Sequence, residues 1–199
     1  VQRERARRAY YAQITFIDHQ INRLIDALWT HDALDNTVII FFGDHGEMLY
    51  DHGMVGKGAP YDSSARVPLL VRLPRAMGGL RQATVDAPVE MRDLLPTLCE
   101  LAGVGVPETV EGRSLLPFCR DERPAWRDAI HGEHSFGALS NQWLTDGRWK
   151  YTWFSQIGLE QLFNLQDDPQ ETHDLAAEHP DLVAAWRARL VEALTGREE

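Results

Sequence analysis

An aspartate and a histidine on adjacent residues, Asp44 and His45, sit between two glycines in the run FFGDHGE. A carboxylate oxygen and an imidazole nitrogen placed this way can both reach one divalent cation if the backbone turns sharply. Gly43 and Gly46 make such a turn easy. Further along the same glycine-rich stretch, Gly56-Lys57-Gly58 sets a cation on a flexible backbone, suited to an anionic substrate oxygen. Taken alone, Asp-His-Gly is more often a polar turn and a loop lysine more often a solvated side chain. The elements that carry these residues therefore decide between the two meanings.

Those elements have a recognisable order. Ile14, Ile17, Ile21, Leu24, Ile25 and Leu28 recur at three- and four-residue spacing, which predicts an amphipathic helix with one buried face over the residues before about 31. After the turn HDALDNT, the continuous apolar run 38–42 reads as a central parallel strand buried on both faces. Helix, short turn and apolar strand make an α/β unit, and open α/β sheets place ligand sites beyond the carboxyl ends of strands, where Asp44 and His45 stand. Residues 46–66 form a glycine-rich loop, and a second strand follows over 67–73, entered at Pro68 and closed by Pro74. MRDLLPTLCELAG has helical spacing and a stop at Gly103. From about 128 the pattern becomes short β pieces, with a hairpin signal at Asp146-Gly147, and then a last helix over 181–194.

Other candidates carry less. Asp51-His52-Gly53 repeats the first motif and could reach a ligand or a second metal, but its distance from the strand end leads us to expect residues that support the ligands from behind, or simple turn residues. Arg66, just before the second strand, could contact the site or order the loop. His131, Glu133 and His134 resemble a metal cluster, but His131 and Glu133 stand two apart on an expected strand with no third partner in view, so an edge or a substrate rim is expected. Trp143, Trp149, Tyr151 and Trp153 alternate along a hairpin; they could stack on a sugar or aryl group, but core is the expectation. Cys99 lies in an apolar run and reads as a buried thiol, whereas Cys119 lies in a loop-like stretch. A disulfide between them is left open.

In combination, FFGDHGE, GKGAPYDSSARVPLLVRLP, MRDLLPTLCELAG, DGRWKY and LFNLQDDPQE, preceded by YYAQITFIDHQINRLIDAL, resemble the sulfatases of the alkaline-phosphatase-like superfamily in the same order. The resemblance implies an alkaline-phosphatase-like α/β sandwich with a small C-terminal antiparallel sheet and terminal helix. It divides the chain into residues 1–125, part of the catalytic domain, and 126–199, a C-terminal subdomain. It implies that Asp44 and His45 ligate a divalent metal ion, calcium first. Many sulfatases have asparagine at the position of His45, and an imidazole also suits manganese or zinc. Lys57 matches the lysine that touches the bound sulfate, so it is both a catalytic and a substrate-binding candidate; its spacing from Asp44 also resembles phosphonate monoester hydrolases and choline-sulfatase-like members.

The family's nucleophile is a formylglycine made from Cys/Ser-x-Pro-x-Arg. Neither Cys99-Glu-Leu-Ala-Gly nor Cys119-Arg-Asp-Glu-Arg fits that pattern, and no serine does. The expectation is that this is the C-terminal part of a larger enzyme, with the formylglycine outside this chain. The expected substrate is a small sulfated molecule, an aryl or sugar sulfate. Alternatives are a phosphonate monoester or phosphodiester substrate at the same site, or a non-catalytic α/β binding domain. The net charge of −10 argues against nucleic acid, and no apolar run reaches the length of a membrane span. A homo-oligomer formed through an exposed sheet edge or apolar face remains open.

Overall fold

A computed structural model of the chain describes residues 1–135 and 137–195. Helix α1 (Gln2–Thr30) leads into strand β1 (Ile39–Phe42), the one-turn helix α2 (Asp62–Ala65) and strand β2 (Leu69–Arg72). Helices α3 (Leu94–Ala102) and α4 (Leu116–Cys119) follow. Strands β3 (Ile130–His134), β4 (Asn141–Thr145), β5 (Trp149–Phe154) and β6 (Leu159–Asn164) come next, and helix α5 (Pro180–Thr195) ends the order. Among the described residues the strands form two sheets, β1-β2 and the four-stranded meander β3-β4-β5-β6, every neighbour antiparallel.

Two expectations about the first half are corrected. β1 is not a parallel strand buried on both faces. It pairs antiparallel with β2, Ile39 opposite Arg72 and Phe42 opposite Leu69, and Phe41 and Phe42 are exposed. A continuous apolar run does not report the direction of its neighbour, and Ile39 and Ile40 are only half-buried. Helix α1 forms as its periodicity requires, yet none of its residues is buried, and Ile14, Ile17 and Leu24 lie open. Periodicity reveals that a helix has an apolar face without saying what covers it. The anchor of α1 is polar: Arg7 Nε donates to the Leu49 carbonyl at 3.0 Å and its Nη2 to Asp51 Oδ1 at 2.7 Å.

The second half follows its pattern closely. The chain turns between β4 and β5 at residues 146–148, where the Asp146 carboxylate accepts the N–H groups of Arg148 and Trp149. Alternation puts Leu144, Tyr151 and Leu162 on one face of the sheet, and α5 covers them with Val183, Trp186 and Leu190 at its own three- and four-residue spacing. Each such side chain contributes about 1.5–3 kcal/mol on burial, so this sheet and helix form the best-covered core of the chain. Trp149 and Trp153 pack against that core, as expected of alternating aromatics. Cys99 is buried and Cys119 half-buried; both are free thiols.

Between the two sheets, Asp93 fixes the start of α3. Its carboxylate, fully buried, receives both Nη atoms of Arg127 at 2.6 Å and the N–H groups of Arg113 and Glu90 at 2.8 and 2.9 Å. Thr97 Oγ1 donates back to the Asp93 carbonyl and accepts the Leu115 N–H. The Asp-Leu-Leu-Pro-Thr run thus cross-links α3 to the segment before α4 and to the lead-in of β3.

Candidate active site

Asp44 and His45 leave the end of β1 as expected, and Gly43 N–H still donates to the Pro68 carbonyl at 3.3 Å, which ties the exit to the entrance of β2. The two side chains face the same point. His45 Nε2 lies 3.5 Å from Asp44 Oδ2, and Lys57 Nζ lies 2.6 Å from the same imidazole nitrogen. His45 Nδ1 is 2.8 Å from the Gly46 carbonyl. The consistent hydrogen-bond assignment has Lys57 donating to Nε2 and Nδ1–H donating to that carbonyl. In this tautomer the single Nε2 lone pair accepts from Lys57, beside a carboxylate that is 80% exposed, and a metal ion at Nε2 would take the place of that hydrogen bond. A ring nitrogen oriented by a backbone carbonyl is a common arrangement for a metal-ligating histidine.

The loop that brings Lys57 back to His45 is closed by Glu47. Its Oε1 accepts the Gly56 N–H at 2.6 Å and the Leu49 N–H at 3.3 Å, while Met48 N–H donates to the Gly56 carbonyl. Met48, fully buried, packs with Ala59, Tyr61 and Phe163, so the base of the loop rests on the C-terminal sheet. Helix α2 then holds both sides of the site. The Ser64 carbonyl accepts the N–H of Gly46, the residue after His45, at 2.8 Å. Ser64 Oγ accepts the N–H of Gly58, the residue after Lys57, at 3.0 Å. A Cβ at Gly46 would stand 2.1 Å from the Ser63 carbonyl oxygen, so a side chain there cannot coexist with this packing.

The remaining candidates play supporting parts. Asp51 accepts from Arg7 and from Ser63 Oγ, and His52 stacks on Tyr61 with ring centroids 3.8 Å apart. In the second Asp-His-Gly both side chains are thus engaged by the protein itself, Asp51 by α1 and α2 and His52 by Tyr61. Arg66 lies 3.7 Å from Asp62 on the surface of α2. His131 Nε2 is 2.6 Å from Gln142 Oε1, and Gln142 in turn donates to Glu133, which makes a cross-strand edge cluster. His134 stands against Gly58: a Cβ there would lie 2.6 Å from its Nε2, and φ is +89°, so glycine suits this position on both counts.

Sequence reasoning assigned no role to Lys150, Asp62 and Glu171. Lys150 is fully buried, with Nζ 2.7 Å from Asp62 Oδ1 and 3.0 Å from Glu171 Oε1, and it lies over the Trp143 ring at 5.2 Å. Glu171 Oε2 accepts the Asp62 N–H at 2.5 Å. Burial raises the Glu171 carboxyl above its usual range, and the Lys150 charge and the Asp62 N–H only partly offset this. The available signal was a lysine and an acid in the pieces DGRWKY and DPQE; their partner, Asp62, lies far away in sequence at the start of α2.

Asp44 and His45 offer one oxygen and one nitrogen donor side by side, a fitting part of a coordination shell for a divalent ion. Among the described residues, no three His, Cys, Asp or Glu side chains gather as a complete metal site. Any metal held here needs further donors beyond these two.

Residues 2–104 match the family model named Sulfatase. The chain is 43% identical to an arylsulfatase of Clostridium perfringens over 199 residues, covering 98% of this chain and 41% of the relative. It is 37% identical to a choline-sulfatase of Rhizobium meliloti, covering 86% of this chain and 33% of the relative. Among solved structures it resembles a phosphonate monoester hydrolase of Agrobacterium radiobacter, with a TM-score of 0.83 and 33% identity, covering 94% of this chain and 40% of that one. The chain thus spans about two fifths or less of the length of these relatives.

Proposed function

The chain belongs to the sulfatase family, and from that membership we propose that the protein containing it hydrolyses sulfate esters of small molecules, with Asp44, His45 and Lys57 forming one side of the active site. The observation that carries this reading is the convergence of the three side chains, Lys57 Nζ at 2.6 Å and Asp44 Oδ2 at 3.5 Å from one imidazole nitrogen at a strand end. In this reading residues 1–125 belong to the catalytic domain and 126–199 form a subdomain that buttresses it.

Asp44 and His45 would hold a divalent ion, which when bound supplies Lewis-acid polarisation of a sulfuryl oxygen. The oxygen and nitrogen donors suit calcium, manganese or zinc, with calcium first from the family resemblance. The work of this chain's own residues is positional and electrostatic. Lys57 stands beside His45, and with Nε2 given over to the metal its ammonium would be released to bind a sulfate oxygen and stabilise charge that develops on the transferring group or on the leaving oxygen. Glu47 and α2 keep that lysine on its loop without contacting substrate. Neither cysteine of the chain nor any serine lies in a formylglycine-forming run, so the nucleophile in this reading comes from the rest of the protein.

A phosphonate monoester is the second reading, favoured by the likeness to the Agrobacterium enzyme and by the tetrahedral, anionic character shared by sulfuryl and phosphoryl groups. Paired kinetics on an aryl sulfate and an aryl phosphonate monoester, with the whole protein that carries this chain, separates the two. Preferred turnover of the sulfate supports the first reading and preferred turnover of the phosphonate the second. Turnover of neither by metal-loaded protein removes both.

A further inference from the structure

Helix α2 is a single turn whose N-cap residue, Tyr61, supplies no side-chain cap bond, too short to hold its own position. Yet it is the element on which the site rests: Ser64 takes the N–H of Gly46 through its carbonyl and that of Gly58 through its hydroxyl. The groups that fix α2 come from the C-terminal part of the chain. Glu171 accepts the backbone N–H of Asp62, the first residue of α2, and Lys150 grips the side chain of that same residue. Tyr61, just before the helix, donates its hydroxyl hydrogen to Gln161 at 3.0 Å. Asn141 Nδ2 reaches the Gly58 carbonyl at 3.2 Å.

Within this set Lys150 is the residue whose presence stability alone does not explain. A fully buried ammonium between two carboxylates carries a heavy desolvation cost, and an apolar side chain of similar volume often serves stability as well or better. Such a group is retained where it selects one arrangement over others that would pack equally well. Here the arrangement selected is the seat of α2 against β5 and the 165–175 segment.

Resting on the function proposed above, we infer that Lys150 is a positioning residue for the Asp44–His45–Lys57 site, acting through Asp62 and α2. It touches neither substrate nor metal donors. It sets where Ser64 stands, and Ser64 sets the distance between the backbone that carries His45 and the backbone that carries Lys57. Glu171 completes the grip by fixing the N-terminus of the same turn. The C-terminal sheet thereby tunes a site to which it contributes no reacting group.

The test uses the whole protein with Lys150→Met, Lys150→Arg and Glu171→Gln, read by hydrogen exchange and by kinetics. For Lys150→Met, exchange of the amides of Gly46 and Gly58 accelerates at least tenfold while amides of β4, β5 and β6 keep their protection. On the preferred ester, kcat falls at least tenfold with KM changed less than threefold, and Lys150→Arg restores part of it. Glu171→Gln moves the same amides in the same direction by less, and it stands as the decisive variant if Lys150→Met does not fold. Unchanged exchange at Gly46 and Gly58 in a folded variant overturns the inference, as does a rise shared equally by β4, β5 and β6. If the wild-type protein turns over no sulfate or phosphonate ester, the proposed function fails, and the exchange data still decide whether Lys150 seats the loop.

Discussion

Replacing Gly46 by alanine perturbs the site without removing any of its chemical groups. The added Cβ would stand 2.1 Å from the Ser63 carbonyl oxygen and 2.9 Å from its carbon, where ordinary contact begins at 3.4 Å. The obstruction is backbone in α2, not the end of a flexible side chain, so the two segments must part by on the order of 1 Å, enough to cost about a hundredfold in rate when reacting groups are misplaced. The same movement breaks the 2.8 Å bond from Gly46 N–H to the Ser64 carbonyl and carries His45 away from Lys57. Overpacking of this kind costs about 1–3 kcal/mol of stability, which a domain with a separate, well-covered core tolerates. The whole protein carrying Gly46→Ala is therefore expected to stay folded by circular dichroism and to lose about two orders of magnitude in kcat/KM on the sulfate ester proposed as its substrate. Full activity, within twofold of wild type, in a folded Gly46→Ala protein would refute the claim that α2 sets the spacing of the site.

Two further outcomes follow from named contacts. Lys57→Ala should lower kcat/KM by about 10²–10³, the usual effect of removing one stabilising donor, and the loss should fall mainly on kcat if Lys57 acts on developing charge; steady-state kinetics that show only a raised KM would make it a binding residue instead. Asp93→Asn should destabilise the fold by about 3 kcal/mol, because it breaks a buried ion pair and leaves Arg127 only the Glu90 carboxylate 3.3 Å away. Burial alone would raise the Asp93 carboxyl, but the hydrogen bonds from Arg127, Arg113 and Glu90 outweigh it and hold it below the usual carboxylate value. The stabilisation from Asp93 is therefore present above that usual value and is lost as pH falls through the lower folded value. Urea midpoints measured across acid pH should fall in wild type and flatten in Asp93→Asn.

The parts of the fold visible in the sequence were those set by local rules. Asp146-Gly147 marked the β4-β5 hairpin, and Val183, Trp186 and Leu190 marked the buried face of α5, since turn chemistry and side-chain period act within a few residues. Pairing partners were less visible: the run 38–42 looks the same beside a parallel or an antiparallel neighbour, and its pairing with β2 depends on a loop that alternation does not describe. Asp44, His45 and Lys57 were legible as candidates because each stands in a short glycine-flanked motif at a strand end, and the structure places them within hydrogen-bond or near-contact distance. Lys150 and Glu171 were not. A lysine inside a β-patterned segment reads as solvent-facing until the carboxylate that meets it, Asp62, is brought in from another part of the chain.

Divalent-ion binding and turnover measured together on the whole protein, wild type against Asp44→Ala, test the central assignment most directly. If Asp44 is a metal ligand as proposed, Asp44→Ala weakens metal binding at least about tenfold and lowers kcat on the proposed sulfate ester in parallel, with excess metal recovering part of both. Undiminished metal affinity together with wild-type turnover in the Asp44→Ala protein would contradict that assignment.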